Sequence, residues 1–147
     1  MKILILMRHG QASFQIASDG WRPLTSDGEE QSKQAGQLLQ FHRWIAPTIL
    51  CSPLLRAKQS ASLVAQKTGS RVQVAKELDG RLSAVGLIDF AMKQLEKIDC
   101  IMLVGHNPNI SLAAALLSGR YISFATGEVA VFDVTDPKKP ALLLERE

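Results

Sequence analysis

The stretch Ile-Leu-Ile-Leu-Met-Arg-His-Gly, residues 3–10, decides the fold of this 147-residue chain. Its five consecutive apolar residues predict a β-strand that is buried on both faces, as is typical of a parallel sheet. The strand ends in a charged arginine, a histidine and a glycine. Gly10 predicts a sharp turn of the backbone, because glycine has no Cβ. A polar segment without periodicity, residues 11–24, follows.

The rest of the chain alternates predicted strands and helices. Helices are predicted at about residues 26–43, 53–69, 85–97 and 108–116, and strands at residues 48–51, 71–75, 100–104, 128–134 and 141–144. For the first helix, residues 26–29 match a capping box, with Thr25 as the alternative N-cap. Ser52-Pro53 and Asn107-Pro108 each match an N-cap followed by proline at the first helical position. The alternation predicts an α/β fold, a three-layer sandwich with a mostly parallel central sheet.

The bulk composition narrows the class of protein. With 46% hydrophobic residues, residues 1–147 are long enough for a single domain with one core. The net charge of +3 is mild and the longest basic run is two lysines, so we expect no nucleic-acid partner. No run approaches the ~20 apolar residues that span a bilayer, and the first seven are too few for a signal peptide. We therefore expect a cytoplasmic monomer that does not bind membranes.

The two cysteines, Cys51 and Cys100, each lie in an apolar run. We predict that both are buried free thiols in strands, because a buried cysteine commonly acts as a small hydrophobe. Neither has a histidine or a second cysteine at ligand spacing, so we expect no zinc site.

Polar side chains follow three of the predicted strands where each strand ends. Arg8 and His9 follow the first strand, Ser52 and Arg56 follow the second, and His106 follows the strand at residues 100–104. Ligands of such sheets bind beyond the carboxyl ends of the strands. Two helix N-termini are predicted at the same edge, and their free N–H groups favour an anion. We therefore predict that these segments form one phosphate-binding site.

This group of residues suits phosphoryl transfer, which needs an aligned nucleophile and positive groups around the phosphoryl oxygens. The guanidinium of arginine binds phosphate through two parallel hydrogen bonds. His9 can be the nucleophile if its ring is neutral, with the second ring nitrogen held by an acceptor near Gly10. A lone histidine or arginine at such a position is usually structural or solvent-facing, so the prediction rests on the residues jointly. His42 lies mid-helix without a partner, and we expect a surface residue.

Four segments together form a more specific pattern than any single residue. They are Arg8-His9-Gly10, Pro23-Leu24-Thr25 with Gly28, Ser52-Pro53-Leu54-Leu55-Arg56-Ala57 with Gln59 and Ser60, and Gly105-His106-Asn107-Pro108. This pattern resembles the histidine phosphatase superfamily, also called the phosphoglycerate-mutase-like fold. The chain has no room for a helical insertion domain, and Ala17-Ser18-Asp19 precedes Arg22-Pro23-Leu24-Thr25. Both features are similar to the short SixA-type phosphohistidine phosphatases of that superfamily.

The resemblance implies roles for individual residues. His9 would be transiently phosphorylated, and the phosphate would be held by Arg8, Arg22, Arg56 and His106. No metal or other cofactor is implied, because the arginines and His106 take the role of a divalent cation. Gln11 departs from the pattern, since an acidic residue commonly follows Arg-His-Gly in the short proteins, and it should make the rim of the pocket less negative.

The proton donor has three candidates. An aspartate in the first loop of the short proteins matches Asp19, which we prefer, although it could instead be a loop aspartate that helps to cap the helix. Larger members use a glutamate near a position that Glu77 or Asp79 could occupy in this chain.

The resemblance and the absent insertion together favour a phosphohistidine phosphatase that acts on a histidine phosphotransfer protein. A shallow pocket would bury little of a small phosphate, and imidazole is a good leaving group once protonated. Two alternatives stay open: a phosphatase of small phosphoesters, and a non-catalytic phosphate-binding module. Trp21 would contact a partner or pack on the sheet rim, and Trp44 would lie in the core or at a helix end.

Overall fold

The computed structural model describes residues 1–14 and 18–145. Residues 15–17, which include Ala17 of the motif before Arg22, and residues 146–147 lie outside the described residues. The strands are β1 (Ile3–Arg8), β2 (Thr48–Cys51), β3 (Arg71–Val74), β4 (Cys100–Gly105), β5 (Val129–Asp133) and β6 (Ala141–Glu145). The helices are α1 (Ser26–His42), α2 (Leu55–Thr68), α3 (Ala84–Gln94) and α4 (Asn109–Ser118), with 3-10 turns at Asp19–Trp21 and Lys76–Leu78.

The strands form one six-stranded sheet in the order β3-β2-β4-β1-β5-β6. The pairs β2–β3, β2–β4 and β1–β4 are parallel, whereas β5 runs antiparallel to both β1 and β6. Five of these six strands therefore run in the same direction. The prediction of a mostly parallel sheet is confirmed, and β1 and β4 are neighbours at its centre.

The alternation of side chains along the central strands builds two cores. Ile3, Ile5 and Met7 pack with α1 and α2 on one face of the sheet, while Leu4 and Leu6 pack with α3 and α4 on the other. Each fully buried side chain of this kind contributes about 1.5–3 kcal/mol. The continuous apolar run that predicted β1 thus follows from burial on both faces, and the three-layer sandwich is confirmed. Among the described residues, no further helical subdomain covers the sheet.

The helix starts differ from the sequence prediction. Thr25 is the N-cap of α1, and its Oγ1 accepts the Gly28 N–H at 3.0 Å, so the capping box at residues 26–29 is wrong and the alternative is right. The second helix begins two residues later than predicted, at Leu55, and the fourth begins one residue later, at Asn109. The third ends at Gln94, three residues earlier than predicted. None of the helices in the described part of the chain is long and apolar enough to cross a bilayer.

Gly10 is required by close packing. A Cβ at this position would lie 2.4 Å from the carbonyl oxygen of Gly28, and one at Gly28 would lie 2.0 Å from the Gln11 oxygen. Its φ does not fall in the left-handed region, so close approach explains this glycine better than a sharp turn does. The contact brings the segment after β1 against the first turn of α1.

Both cysteines are free thiols in strands, as predicted. Cys51 is fully buried in β2, whereas Cys100, the first residue of β4, is only partly buried. Burial raises the pKa of each thiol to about 11. Both therefore stay protonated at neutral pH.

Candidate active site

The topology places two histidines side by side at the carboxyl end of the sheet. The last residues of β1 and β4, Arg8 and Gly105, are paired in register, so His9 and His106 each follow the end of neighbouring parallel strands. Their ring centroids are 5.0 Å apart, with the ring planes inclined by 59°. Both residues are 8% exposed. The predicted convergence of these two histidines is confirmed.

The hydrogen bonds of His9 define which ring nitrogen carries the proton. Its Nδ1 lies 2.7 Å from the carbonyl oxygen of Gly10. A carbonyl only accepts hydrogen bonds, so Nδ1 carries the proton and Nε2 keeps its lone pair. That lone pair accepts a hydrogen bond from Nε of Arg56 at 3.3 Å. The acceptor anticipated near Gly10 is therefore the carbonyl of Gly10 itself.

Both histidines are electrically neutral at pH 7. Burial lowers the pKa of His9 to about 3, and the nearby cationic groups add to this effect, while the bond to Gly10 opposes it. Burial also lowers the pKa of His106 to about 4, followed by the charge of Arg56, with Asp19 and Asp79 opposing. A neutral imidazole can act as a nucleophile or donate a hydrogen bond, depending on which nitrogen it presents.

Arg56 and Arg22 are joined by the carboxylate of Asp19. Arg56, on the first turn of α2, is buried and donates to the Asp19 backbone oxygen at 2.9 Å and to its Oδ2 at 3.3 Å. Nε of Arg22 donates to Oδ1 of the same side chain at 3.1 Å. The charge of Arg56, together with both arginine hydrogen bonds, holds the pKa of Asp19 below its usual range. The ligand-free site therefore contains an anion where we predict phosphate binding.

Arg8 reaches the site from the end of β1. One of its terminal nitrogens, Nη1, donates to the carbonyl oxygen of Phe124 at 3.0 Å. Its Nε is buried and has no hydrogen-bond partner among the described residues. Burial lowers the pKa of Arg8, while the charge of Glu128 opposes this change. An unsatisfied buried donor is unfavourable, which favours an anion beside this guanidinium.

These groups line one cavity of about 540 Å³. Its wall contains all the predicted site residues except one: Arg8, His9, Asp19, Arg22, Arg56, Asp79 and His106. The exception is Glu77, which lines a separate small cavity that His106 also lines. Asp79 pairs with Arg81, and this hydrogen bond lowers the pKa of its carboxyl.

Comparison with known proteins assigns the family. The model of the histidine phosphatase superfamily, branch 1, matches residues 4–82, which include Arg8, His9, Arg22 and Arg56. The chain belongs to the histidine phosphatase superfamily. The phosphohistidine phosphatase SixA of Escherichia coli K12 is 31% identical over 122 residues, which cover 80% of this chain and 75% of SixA.

Solved structures place this superfamily member near SixA. The structure of the protein histidine phosphatase SixA complexed with tungstate superposes with a TM-score of 0.85 and 26% identity, covering 99% of this chain and 96% of that one. The alpha-ribazole phosphatase of Shigella flexneri shares the fold, with a TM-score of 0.76 at 20% identity over 99% of this chain and 96% of that one. By sequence and structure, this is a SixA-like histidine phosphatase with the predicted fold.

Some residues of this histidine phosphatase site were not predicted. The hydroxyl of Ser52, expected at this edge of the sheet and as a helix cap but given no role in the site, lies 2.7 Å from Nε2 of His106. The carbonyl oxygen of Phe124 accepts from both Arg8 and Asn107, each at 3.0 Å, and Thr126 also lines the cavity. Residues 119–128 have no hydrophobic period that would have placed Phe124 and Thr126 there. For Ser52 a signal existed, since parallel strands ending together bring Ser52 beside His106.

The rim of the histidine phosphatase cavity is aromatic on one side. Phe14 is 86% exposed, with the guanidinium of Arg22 4.8 Å above its ring. Trp21, in the 3-10 turn Asp19–Trp21, is 65% exposed and so is not packed on the sheet rim. Gln11 also lines the cavity, and its Oε1 accepts the Thr25 hydroxyl at 2.7 Å.

Two further aromatic side chains, Trp44 and His42, do not line the cavity. Trp44 is partly buried against the core just after the end of α1, as predicted, and its backbone N–H donates to the carbonyl oxygen of Leu39. His42 is exposed, as predicted, but it is the last residue of α1 and not mid-helix, and its ring is edge-on to Phe41.

Proposed function

We propose that this chain is a phosphohistidine phosphatase that removes phosphate from a histidine phosphotransfer protein through a phosphohistidine intermediate on His9. One observation carries the proposal: a neutral imidazole keeps its Nε2 lone pair inside a pocket of guanidinium groups. That combination is required of a histidine nucleophile and is unnecessary for binding phosphate alone.

Binding of the substrate rearranges the hydrogen bonds around His9. The phosphoryl oxygens replace the Asp19 carboxylate at Arg56 and Arg22, because the guanidinium groups suit either anion. When Nε of Arg56 turns from His9 to a phosphoryl oxygen, the lone pair of Nε2 becomes free to attack. The Nε2–P bond then forms as the P–N bond of the substrate breaks. His106 and Arg8 stabilise the charge on the phosphoryl oxygens.

The leaving imidazole needs a proton, and Asp19 is our preferred donor over Asp79 and Glu77. In the free site the arginines keep Asp19 ionised. A bound phosphoryl group takes over those arginines and adds its own negative charge, which raises the pKa of Asp19 so that the carboxyl group holds a proton. Asp79 differs because its partner Arg81 is exposed and does not line the cavity. The phosphoryl group therefore leaves the Asp79–Arg81 pair intact.

The second step returns the enzyme to its initial state. A water molecule attacks the phosphorus, its proton passes to the Asp19 carboxylate, and the P–Nε2 bond breaks to release inorganic phosphate. We propose that the reaction is independent of metal ions, since Arg8, Arg22, Arg56 and His106 supply the positive charge and the hydrogen bonds that a divalent cation would provide.

The choice of substrate is supported by the relatives and by the rim of the cavity. The relative of 31% identity is a phosphohistidine phosphatase, although the shared fold of an alpha-ribazole phosphatase means that the fold alone does not choose the substrate. The exposed rings of Phe14 and Trp21 offer contact area to a protein that carries the phosphohistidine. Imidazole also leaves more readily than an alkoxide, so a weakly positioned acid suffices.

The decisive experiment is incubation of the protein with a phosphorylated histidine phosphotransfer domain. We expect release of phosphate, with a burst equal to the enzyme concentration and acid-labile phosphate on His9. His9→Ala should abolish both. His42→Ala is the matched control, because His42 is exposed on α1 and lies outside the cavity, and this variant should keep the burst.

A substrate panel separates the remaining functions. Rapid turnover of sugar phosphates or nucleotides, with slow turnover of the phosphoprotein, would show that the chain is a small-molecule phosphomonoesterase. Saturable binding of phosphoproteins without any turnover would show that it is a phosphate-binding module. The two results contradict the proposal in different ways. A small-molecule phosphomonoesterase would still form phosphate on His9, whereas a phosphate-binding module would not.

A further inference from the structure

Ser52 and His106 form a buried pair at the back of the cavity. The Oγ of Ser52 lies 2.7 Å from Nε2 of His106, and Ser52 is completely inaccessible to solvent. The backbone N–H of Ser52 donates to the carbonyl oxygen of Val104 at 3.1 Å, which ties the end of β2 to the end of β4. The hydroxyl is therefore held in a fixed position beside the imidazole.

The need of the buried hydroxyl proton for an acceptor determines the direction of the hydrogen bond to His106. The Leu54 N–H donates to Oγ of Ser52 at 3.1 Å, so the oxygen already acts as an acceptor. The hydroxyl has one proton, and within the described chain the only remaining partner for that proton is Nε2 of His106. If Nε2 carried a proton and donated to the second lone pair of Oγ, the fully buried hydroxyl proton would have no acceptor, which is unfavourable. Nε2 therefore accepts, and in the neutral ring the proton resides on Nδ1.

We propose that Ser52 is a positioning residue that holds His106 as the Nδ1–H tautomer, so that this N–H donates to a phosphoryl oxygen. The inference rests on the proposed function for its catalytic consequence. The opposite tautomer would present a lone pair to the negatively charged oxygens of the substrate, which is repulsive.

The two histidines thereby carry the same tautomer and play opposite parts. His9 donates its Nδ1–H to the Gly10 carbonyl and presents the Nε2 lone pair. His106 accepts the Ser52 proton at Nε2 and presents Nδ1–H, which no described residue bonds. One ring thus supplies a nucleophile and the other a hydrogen-bond donor. The Gly10 carbonyl can only accept a hydrogen bond, and the Ser52 hydroxyl donates one. These two hydrogen bonds set the tautomer of each ring while both imidazoles stay neutral.

The neutral state makes this choice of tautomer necessary. A protonated imidazolium donates from both nitrogens and would need no serine to select one of them. Burial lowers the pKa of His106 to about 4, so the ring is neutral at pH 7 and presents only one N–H.

Nitrogen-15 NMR of the wild-type histidine side chains tests the proposal directly at pH 7 without substrate. We expect His106 to show a protonated Nδ1 and an unprotonated Nε2. A protonated Nε2 on His106 would overturn the proposal. The measurement does not use activity, so it stays valid if the proposed phosphatase function fails.

Variants then test the consequence for catalysis. Ser52→Ala should move His106 towards the Nε2–H tautomer and lower kcat by roughly 10- to 100-fold, less than the 10²–10³-fold for removal of a donor itself. Ser52→Thr keeps the hydroxyl and should restore the tautomer and most of kcat. Ser32→Ala is the matched control, because Ser32 is equally buried and donates to the Gly28 carbonyl oxygen in its own helix. It should leave the His106 tautomer unchanged.

An unchanged tautomer in Ser52→Ala would contradict the positioning role, whatever its kcat. A fall in the kcat of Ser52→Ala that a lower melting temperature explains completely would also contradict the positioning role, because Ser52 would then affect catalysis only through the stability of the fold. If Ser52→Ala does not fold, the wild-type spectrum still decides the question.

Discussion

Nε of Arg56 lies 3.3 Å from Nε2 of His9 and donates a hydrogen bond to it. The lone pair that we propose as the nucleophile is therefore bonded to a phosphate-binding group in the free protein. An incoming phosphoryl group competes for the same guanidinium and releases the lone pair as it binds. Substrate binding and activation of His9 are thus coupled through one side chain.

Replacing Arg56 with alanine should lower kcat by roughly 10²–10³-fold, the scale for loss of one transition-state donor. The residue is buried beside both histidines and contributes charge and geometry at once. Burst and steady-state kinetics on the phosphorylated histidine phosphotransfer domain measure this change. Arg71→Ala is the matched control, because Arg71 is exposed at the start of β3, and it should keep wild-type kinetics. A loss below tenfold in Arg56→Ala would place Arg56 outside the catalytic arrangement.

The lowered pKa values of the two histidines make folding stability depend on pH. Below about pH 6.5 the unfolded chain binds protons at these positions, whereas the folded chain does not until pH falls to about 4 for His106 and about 3 for His9. The contribution of these two histidines to the free energy of unfolding should therefore be complete above pH 6.5. It should decrease as pH falls from 6.5 towards 3. Urea denaturation at a series of pH values measures this slope.

A variant isolates the contribution of His9 to that slope. His9→Ala should show a smaller decrease in stability between pH 6.5 and 4.5. Val64→Ala truncates a fully buried core residue of α2 without removing a titratable group, so it should lower stability at every pH and keep the slope. Equal slopes for His9→Ala and wild type would contradict a neutral, buried His9.

The order of elements and the clustering of the site were predictable from the sequence because both depend on the topology. The apolar run of β1 predicts burial on two faces, and parallel neighbours bring His9 and His106 to the same edge. These inferences need only the hydrophobic pattern and the rule that ligands bind beyond the carboxyl ends of parallel strands.

The helix starts were less predictable because the same polar residues serve the active site. The hydroxyl of Ser52 donates to His106, and the N-cap of α2 is Leu54, two residues further along the chain. Asn107 donates from its side chain to the Phe124 carbonyl, and α4 begins only at Asn109. A sequence pattern shows that a residue can cap a helix, but not that a segment distant in the sequence offers it another hydrogen-bond partner. The ion pairs that bridge Asp19 to Arg22 and Arg56 likewise depend on the conformation of the loop around Asp19, which the sequence pattern does not predict.

That bridge leads to a prediction about phosphate affinity. Asp19→Asn removes the carboxylate that competes for Arg56 and Arg22, so inorganic phosphate should bind up to about fivefold more tightly, the scale of an ion pair whose carboxylate is exposed. The same change removes the proposed acid, so turnover of an alkyl phosphoester should fall by about 10²-fold or more. Turnover of phosphohistidine should fall less, because its imidazole leaves more readily.

Isothermal titration with phosphate and parallel kinetics separate these two effects. Asp27→Asn is the matched control, since it makes the same change of charge at an exposed position on the first turn of α1. Weaker phosphate binding in Asp19→Asn than in Asp27→Asn would show that Asp19 assists the arginines and does not compete with phosphate.

The exposed aromatic rim predicts a difference between protein and small substrates. Trp21 is 65% exposed beside Asp19 and Arg22, and an indole that becomes buried at a protein interface commonly contributes about 2 kcal/mol or more. Trp21→Ala should therefore raise KM for a phosphorylated histidine phosphotransfer domain by roughly tenfold or more. It should leave kcat/KM for a small phosphoester unchanged, because the indole does not line the cavity.

Phe41→Ala is the matched control for that experiment. Phe41 is another exposed aromatic residue, but it lies near the C-terminal end of α1, away from the cavity. This variant should leave both substrates unaffected, whereas Trp21→Ala should affect only the protein substrate. Equal losses on both substrates in Trp21→Ala would mean that the indole supports the loop around Asp19. No loss on either would mean that the phosphoprotein docks on another surface.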